Sequence, residues 1–291
     1  VAVRGKGTAP APRRLGRRWA RGLAAGVAWA LAGLLLLPHA TLLLVSFVPA
    51  GTWTSEVLPP VLSVRNYAAI ATEPERLRPI LNSLSMATAS TAAALAIAVV
   101  AARLAVVARV RLARWIEGLL AMPWALPGTV FAIALATAFS VHRPWAGRWV
   151  LVGTFWILPL AYLVRSLPLT GFAALAGFRQ LDPAYEEAAA SLGAGRWRTF
   201  RRVLLPLLGP ARAAGASLAF LTAFGDFVTS IVLYTYETRP ISIEILAALR
   251  EFDLGVAAAY GVCLMAVSAV AFALGERGWA TAGAGGRGGG A

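Results

Sequence analysis

Long apolar stretches, each wide enough for a bilayer, alternate with short polar connections along this chain. A helix needs about 20 apolar residues to cross a hydrocarbon core about 30 Å thick. Six stretches predict spans: 22–47, 83–107, 118–140, 150–171, 207–234 and 254–274. Pro123 and Pro127 lie in the third span and Pro159 and Pro168 in the fourth. Proline removes a backbone donor, so Pro123, Pro127 and Pro159 predict kinks. Arg165 shortens the apolar part of the fourth span and is read as snorkelling to headgroups near a helix end. The first span is longer than the roughly 7–15 apolar residues of a signal peptide and meets no clear cleavage site, so it reads as a retained anchor.

Composition agrees: 59% of residues are hydrophobic and 14% charged, against about 25% charged in a soluble domain. Mean hydropathy is +0.70. Disorder and an ordinary soluble enzyme are both poor readings. The net charge of +14 is the oddity, and sorting charges by connection accounts for it. With the N-terminus inside, the inside segments hold 17 basic residues and the outside segments 48–82, 141–149 and 235–253 hold seven. That bias sets orientation, and six spans place both termini in the cytoplasm. Residues 1–21 and the Gly/Ala-rich residues 276–291 read as disordered tails. The cluster at Arg13, Arg14, Arg17, Arg18 and Arg21 reads as a topology signal and an attraction to anionic membrane lipid, not as a nucleic-acid site.

Catalytic chemistry is thin. Lys6 is the only lysine and Gly7 follows it, so the sequence holds no Walker A motif; ATP, if used, is hydrolysed on another chain. Cys263 is the only cysteine and reads as a small apolar core residue. His39 reads as a packing residue, and His142 sits in no motif. No metal and no cofactor is assigned, and the chain is not read as an enzyme.

The longest inside connection, 172–206, is the least loop-like. Asp182-Pro183 is a helix-start signal, with Glu186 and Glu187 near the positive end of the helix dipole. Ala184, Ala188 and Leu192 share one face at four-residue spacing. Gly193 can end the helix in a left-handed conformation. Beyond Gly195, Trp197, Phe200, Val203 and Leu204 alternate with Arg196, Arg198, Arg201 and Arg202, a pattern suited to a membrane surface. Leu205-Pro206 marks the turn into the fifth span. The expectation is a projecting helix, a glycine corner and an interfacial helix; a mere connector folded on its own bundle is the alternative.

Glu187-Ala188-Ala189, three residues, Gly193, nine residues, then Val203-Leu204-Leu205-Pro206 resembles the EAA motif of ABC importer permeases, with Val203 where that family has Ile. The resemblance implies an all-α membrane protein, a six-helix transmembrane bundle of the type I importer (MetI-like) fold. It implies that 172–206 is the coupling loop, seated on a separate ATP-binding subunit present as a dimer. Glu187 would touch that subunit, Ala188 and Ala189 would permit close docking, and Gly193 would make the turn. Tyr185, Glu186, Leu192, Arg196, Val203, Leu205 and Pro206 complete the set. The family further implies a second permease chain, with an unlike partner favoured over a second copy, and an extracytoplasmic substrate-binding protein. The location implied is the bacterial inner membrane.

Thr222, Asp226, Thr229 and Ser230 recur at helical spacing in the fifth span. Ionisable groups at such depth usually face a bundle interior or a cavity. Pathway lining, a helix–helix hydrogen bond and a pair with an arginine all remain open for Asp226. The stretches 224–230 and 237–242 resemble the permeases for ferric iron, thiamine, polyamines, sulfate and phosphonates. Within these the resemblance leans to ferric iron; Tyr234, Tyr236, Glu237 and Glu244 are oxygen donors that suit a hard cation, and are equally ordinary residues for an outer loop. A secondary transporter and a non-transporting membrane subunit are the alternative classes.

Overall fold

The computed structural model describes residues 18–53, 56–107 and 110–284. Their regular structure is helical throughout. The α-helices are α1 (Arg18–Ser46), α2 (Arg65–Thr72), α3 (Pro74–Val107), α4 (Val110–Ala121), α5 (Gly128–Phe139), α6 (Ile157–Gln180), α7 (Ala184–Ser191), α8 (Arg196–Thr199), α9 (Leu205–Leu207), α10 (Gly209–Phe224), α11 (Ser230–Leu233), α12 (Ile241–Arg250) and α13 (Leu254–Ala284).

The bundle is built on α3, α6, α10 and α13. Helix α6 packs along α3 and α10, and α10 also packs on α13. Small residues permit this closeness, as membrane helices without a hydrophobic drive between them require. A Cβ on Gly177 of α6 would lie 2.7 Å from the Ala211 Cβ of α10, and one on Gly215 would lie 2.9 Å from the Ala173 Cβ of α6. Two apolar cores result. One gathers Met86, Ile157, Leu158, Tyr162, Phe224 and Tyr260. The other gathers Val99, Leu120, Leu175, Phe178, Leu204 and Leu208.

Helix α3 gives the bundle its span. Near its start, the Asn82 side-chain amide donates to the Glu237 and Arg239 carbonyls at 2.9 and 3.0 Å, and the Ile241 amide donates to Ser83 Oγ. Near its end, Arg103 pairs with Glu186. At 1.5 Å per residue, Asn82 and Arg103 stand about 32 Å apart, close to a hydrocarbon thickness. The two polar attachments are therefore separated by about the thickness of a hydrocarbon core.

Helix α1 lies at the rim, against α13, with an apolar exposed surface. Its end is pinned where the Asn66 amide donates to the Ser46 and Val48 carbonyls, at 2.9 and 3.0 Å. Gly255, at the start of α13, leaves room for that same Val48 carbonyl.

Several sequence expectations change. The stretch 118–140 is two helical segments, bent by 102° between Ala125 and Gly128. Pro123 opens a 3-10 turn and Pro127 precedes α5, so these prolines break the span instead of kinking it. Pro159 sits in the first turn of α6, where a missing N–H costs nothing, and makes no kink. Helix α6 begins at 157 and runs to 180, which places Arg165 in its interior and not near an end. The fifth span stops at Phe224, before Asp226. At the termini, α1 already starts at Arg18 and α13 reaches Ala284, so both helices invade the segments expected to be tails. The remainder of those tails, 1–17 and 285–291, lies outside the described residues.

Candidate coupling site and pathway residues

The loop 172–206 folds into two helical arms around a glycine corner. Asp182 Oδ1 accepts the Ala184 amide at 3.0 Å and starts α7. Gly193 takes φ +76°, a left-handed conformation that costs other residues about 1 kcal/mol or more. The second arm runs through α8, a π-turn at Phe200–Leu204 and α9. It meets α10 at a 67° bend around Leu208. Leu204 and Leu208 are buried in the second core beside Ala174, Leu175 and Phe178 of α6. The loop is thus rooted in the bundle by its second arm.

Helix α7 divides the motif residues. Tyr185, Glu187, Ala188 and Leu192 are exposed, Leu192 to 88%. Together with Ala184 they form a surface that no described residue covers. Ala189 is only 8% exposed, so it packs inward while Ala188 alone of that pair faces out. Glu186 is not at the outer surface either. Its carboxylate takes both Nη groups of Arg103 at 2.7 Å, clamping α7 to α3. In the second arm, Trp197 is 71% exposed and stacks on Phe200 at 5.8 Å. Val203 and Leu205 are half-buried; Arg196 and Pro206 are exposed. Arg196, Trp197 and Glu187 line an open groove of about 940 Å3 between the loop and Val100 and Leu104 of α3.

The expected polar stripe of the fifth span does not form. Thr222 is exposed and its hydroxyl donates to the Leu218 carbonyl one turn back. Asp226 lies in the break after α10, where its Oδ1 accepts the Thr229 and Ser230 amides at 2.9 and 3.1 Å and the Thr229 hydroxyl. It therefore caps α11. Thr229 and Ser230 are buried, and Ser230 Oγ lies 2.6 Å from the Tyr162 hydroxyl of α6. Asp226 Oδ2 faces Arg165 Nε at 3.8 Å, the arginine pairing left open in the sequence. The Asp226 backbone is held as well: Ser242 of α12 donates to its carbonyl at 2.7 Å.

At the opposite face, Glu73, Glu75, Arg78, Glu237, Arg239 and Glu244 surround a cavity of about 500 Å3. Arg78 pairs with Glu237 and Arg239 with Glu244. Burial works against the Arg239 charge, but the Glu244 hydrogen bond and charge outweigh it and hold the guanidinium above its ordinary pKa. The Arg239 guanidinium also lies over the Tyr236 ring. Two of the oxygen donors expected to suit a hard cation are thus held in ion pairs. No metal-binding group of His, Cys, Asp or Glu occurs among the described residues.

Arg103, Tyr162 and the capping role of Asp226 escaped the sequence reading. Arg103 had a signal: an arginine within an apolar span needs a partner, and the acidic pair of the loop was the nearest on the same face.

Comparison with known proteins adds a family. The model for the binding-protein-dependent transport system inner membrane component matches residues 79–277. A probable ABC transporter permease protein of Sinorhizobium fredii is 32% identical over 89% of this chain and 46% of its own length. The sulfate transport system permease protein CysT of Escherichia coli is 34% identical over 53% of this chain and 58% of its own. The chain spans about half the length of these curated relatives. Among solved structures, a bacterial ABC transporter that imports alginate matches with a TM-score of 0.68 at 17% identity, over 89% of this chain and 96% of that one. The MetNI methionine transporter matches with a TM-score of 0.57 at 16% identity, over 71% and 95%. The structural likeness shows the type I importer permease fold, and with the family match it makes this chain a member of the binding-protein-dependent transport system inner membrane components.

Proposed function

We propose that this chain is one half of the translocation pathway of an ATP-driven importer. It performs no covalent step. The exposed face of α7 docks on a separate ATP-binding subunit, present as a dimer, and a second permease chain completes the pathway. A substrate-binding protein delivers the cargo at the opposite face, beside α12. The chain is set in a bacterial inner membrane with both termini in the cytoplasm.

The observation that carries this reading is the division of labour within 172–206. Tyr185, Glu187, Ala188 and Leu192 stand uncovered, while Leu204 and Leu208 are locked among the residues of α6. A push on α7 is therefore passed through the second arm to α6 and α10. ATP can shift the pathway between two states only through contacts that differ between them, and α7 is the element placed to make such contacts. The alginate transporter, whose structure with a periplasmic protein carrying an alginate pentasaccharide is known, supports the expectation of a binding protein. An unlike second permease is favoured because the Sinorhizobium relative is more than twice as long as its matching part, with room for two such halves.

Ferric iron, towards which the sequence leaned, appears in the name of one relative, while others are named for sulfate and molybdenum. With Glu237 and Glu244 committed to arginines, the oxygen-donor argument for iron weakens. A secondary transporter would need an ion-coupling carboxylate, and Asp226 is occupied as a helix cap.

Uptake by cells carrying Glu187→Arg or Gly193→Pro tests the reading. Both variants should reach the membrane in normal amount and lose uptake. Normal uptake by both would remove the assignment.

A further inference from the structure

We propose that Arg165 is an anion-binding residue inside the pathway, recognising a small tetrahedral oxyanion where the start of α5 meets the stretch between α10 and α11. The proposal rests on the permease reading above and names its substrate class.

Arg165 lies eight residues beyond Ile157, the first residue of α6, about 12 Å into the helix at 1.5 Å per residue. Its guanidinium carries five N–H donors in a fixed planar fork. Among the described residues it makes no hydrogen bond, and its Nε is buried without a partner. Asp226 Oδ2, at 3.8 Å, is beyond hydrogen-bond reach. The other Asp226 oxygen is filled by α11. Asp226 thus offsets charge while leaving the donors of Arg165 unused. Arg212, whose Nε is also buried and unpaired, sits in the first turn of α10 at the cytoplasmic end and lacks the surroundings described next.

The start of α5 and the stretch between α10 and α11 converge on Arg165. A Cβ on Gly128, the first residue of α5, would lie 2.9 Å from Arg165 Nη1 and 2.9 Å from Val228 of the α10–α11 break. Non-helical backbone at membrane depth is tolerated only where protein buries it or where it lines a water-filled cavity. Here Gly225, Phe227 and Val228 are exposed, so within this chain protein does not bury them. Paired, interrupted helices are also where transporters hold substrate near the midplane. The Arg165 side chain keeps 24% of its surface open, so it is not sealed within this chain. Guanidinium forks match oxyanions with paired hydrogen bonds, while a metal cation or a protonated polyamine offers those donors no acceptor.

Uptake of radiolabelled sulfate and molybdate, beside ferric iron and spermidine, is measured in cells expressing the chain with its partner subunits. The variants are Arg165→Gln, Arg165→Lys and Arg165→Gln/Asp226→Asn; membrane content and copurified ATP-binding subunit are measured in parallel. The wild type should take up an oxyanion. Arg165→Gln should lower that uptake at least about tenfold, with membrane content and copurification unchanged. Arg165→Lys, which keeps charge but loses the paired donors, should lower it several-fold, and the double variant should not recover. Restored uptake in the double variant would mean a structural ion pair and overturn the proposal. So would unchanged uptake in Arg165→Gln, or uptake of cations alone by the wild type. If Arg165→Gln fails to insert, Arg165→Lys decides, and wild-type uptake by it overturns the site. Lost copurification in Glu187→Arg concerns the permease reading and is scored separately.

Discussion

At the scale of single residues, the motif mixes three jobs that its spacing does not separate. Glu187 and Ala188 face outward, Ala189 faces inward, and Glu186 is consumed by Arg103. Sequence spacing marks which residues belong to the motif. Their direction depends on how α7 is clamped to α3, a contact between residues 83 positions apart. The clamp is testable. The pair is partly exposed, so its worth is about 1 kcal/mol or less, and its value is geometric. Arg103→Glu should loosen α7, seen as faster proteolysis of 182–196 in membranes and reduced uptake. Arg103→Glu/Glu186→Arg should restore both; failure to restore would mean the pair does not position α7. Gly193 was legible because a helix ending there needs a left-handed residue. Gly193→Val should cost about 1–2 kcal/mol locally, and reduced ATPase copurification at normal membrane content is the expected readout.

At the scale of elements, apolar length located the spans but not their interruptions. A proline signals lost backbone bonding, yet its consequence depends on position. Pro159 falls in a first turn and is harmless, while Pro127 falls beside Gly128 and ends a helix. Asp226 was read on a helical stripe because apolar residues continue to Tyr234. The chain instead breaks after Phe224, and the Asp226 carboxylate stabilises the new helix start. Local periodicity cannot register a cap competing with a continuing helix. The contacts of α6 with α10 give a prediction at this scale. Gly177→Leu or Gly215→Val should overpack the interface by about 1–3 kcal/mol and lower the thermal midpoint of the detergent-solubilised chain. Gly209→Ala, with nothing within 4 Å of its Cβ position, should leave it unchanged. Equal behaviour of all three would show that this interface does not require small residues.

At the scale of the molecule, the distribution of charge is the basis of the proposed orientation; the polar attachments at the two ends of α3 give a span and not its direction. Cys263 is the only cysteine, so Cys263→Ser supplies a background for topology mapping. A cysteine at Tyr236 should react with a membrane-impermeant maleimide in intact spheroplasts, and one at Ser191 only after permeabilisation. The reverse pattern would invert the chain. The substrate was the least legible property. It depends on side chains such as Arg165 and Asp226, which meet only when α6 and the break after α10 are brought together.

The central claim is that the exposed face of α7 meets the ATP-binding subunit. A photo-reactive amino acid at Leu192, the most exposed apolar position of that face, tests it directly in membranes of cells making the whole transporter. The account predicts a cross-link to an ATP-binding protein whose yield changes on adding ATP, with no such product from the same probe at Phe252, exposed at the other end of the bundle. A cross-link only to lipid or to this chain, or one to the ATP-binding protein from both positions alike, would contradict it.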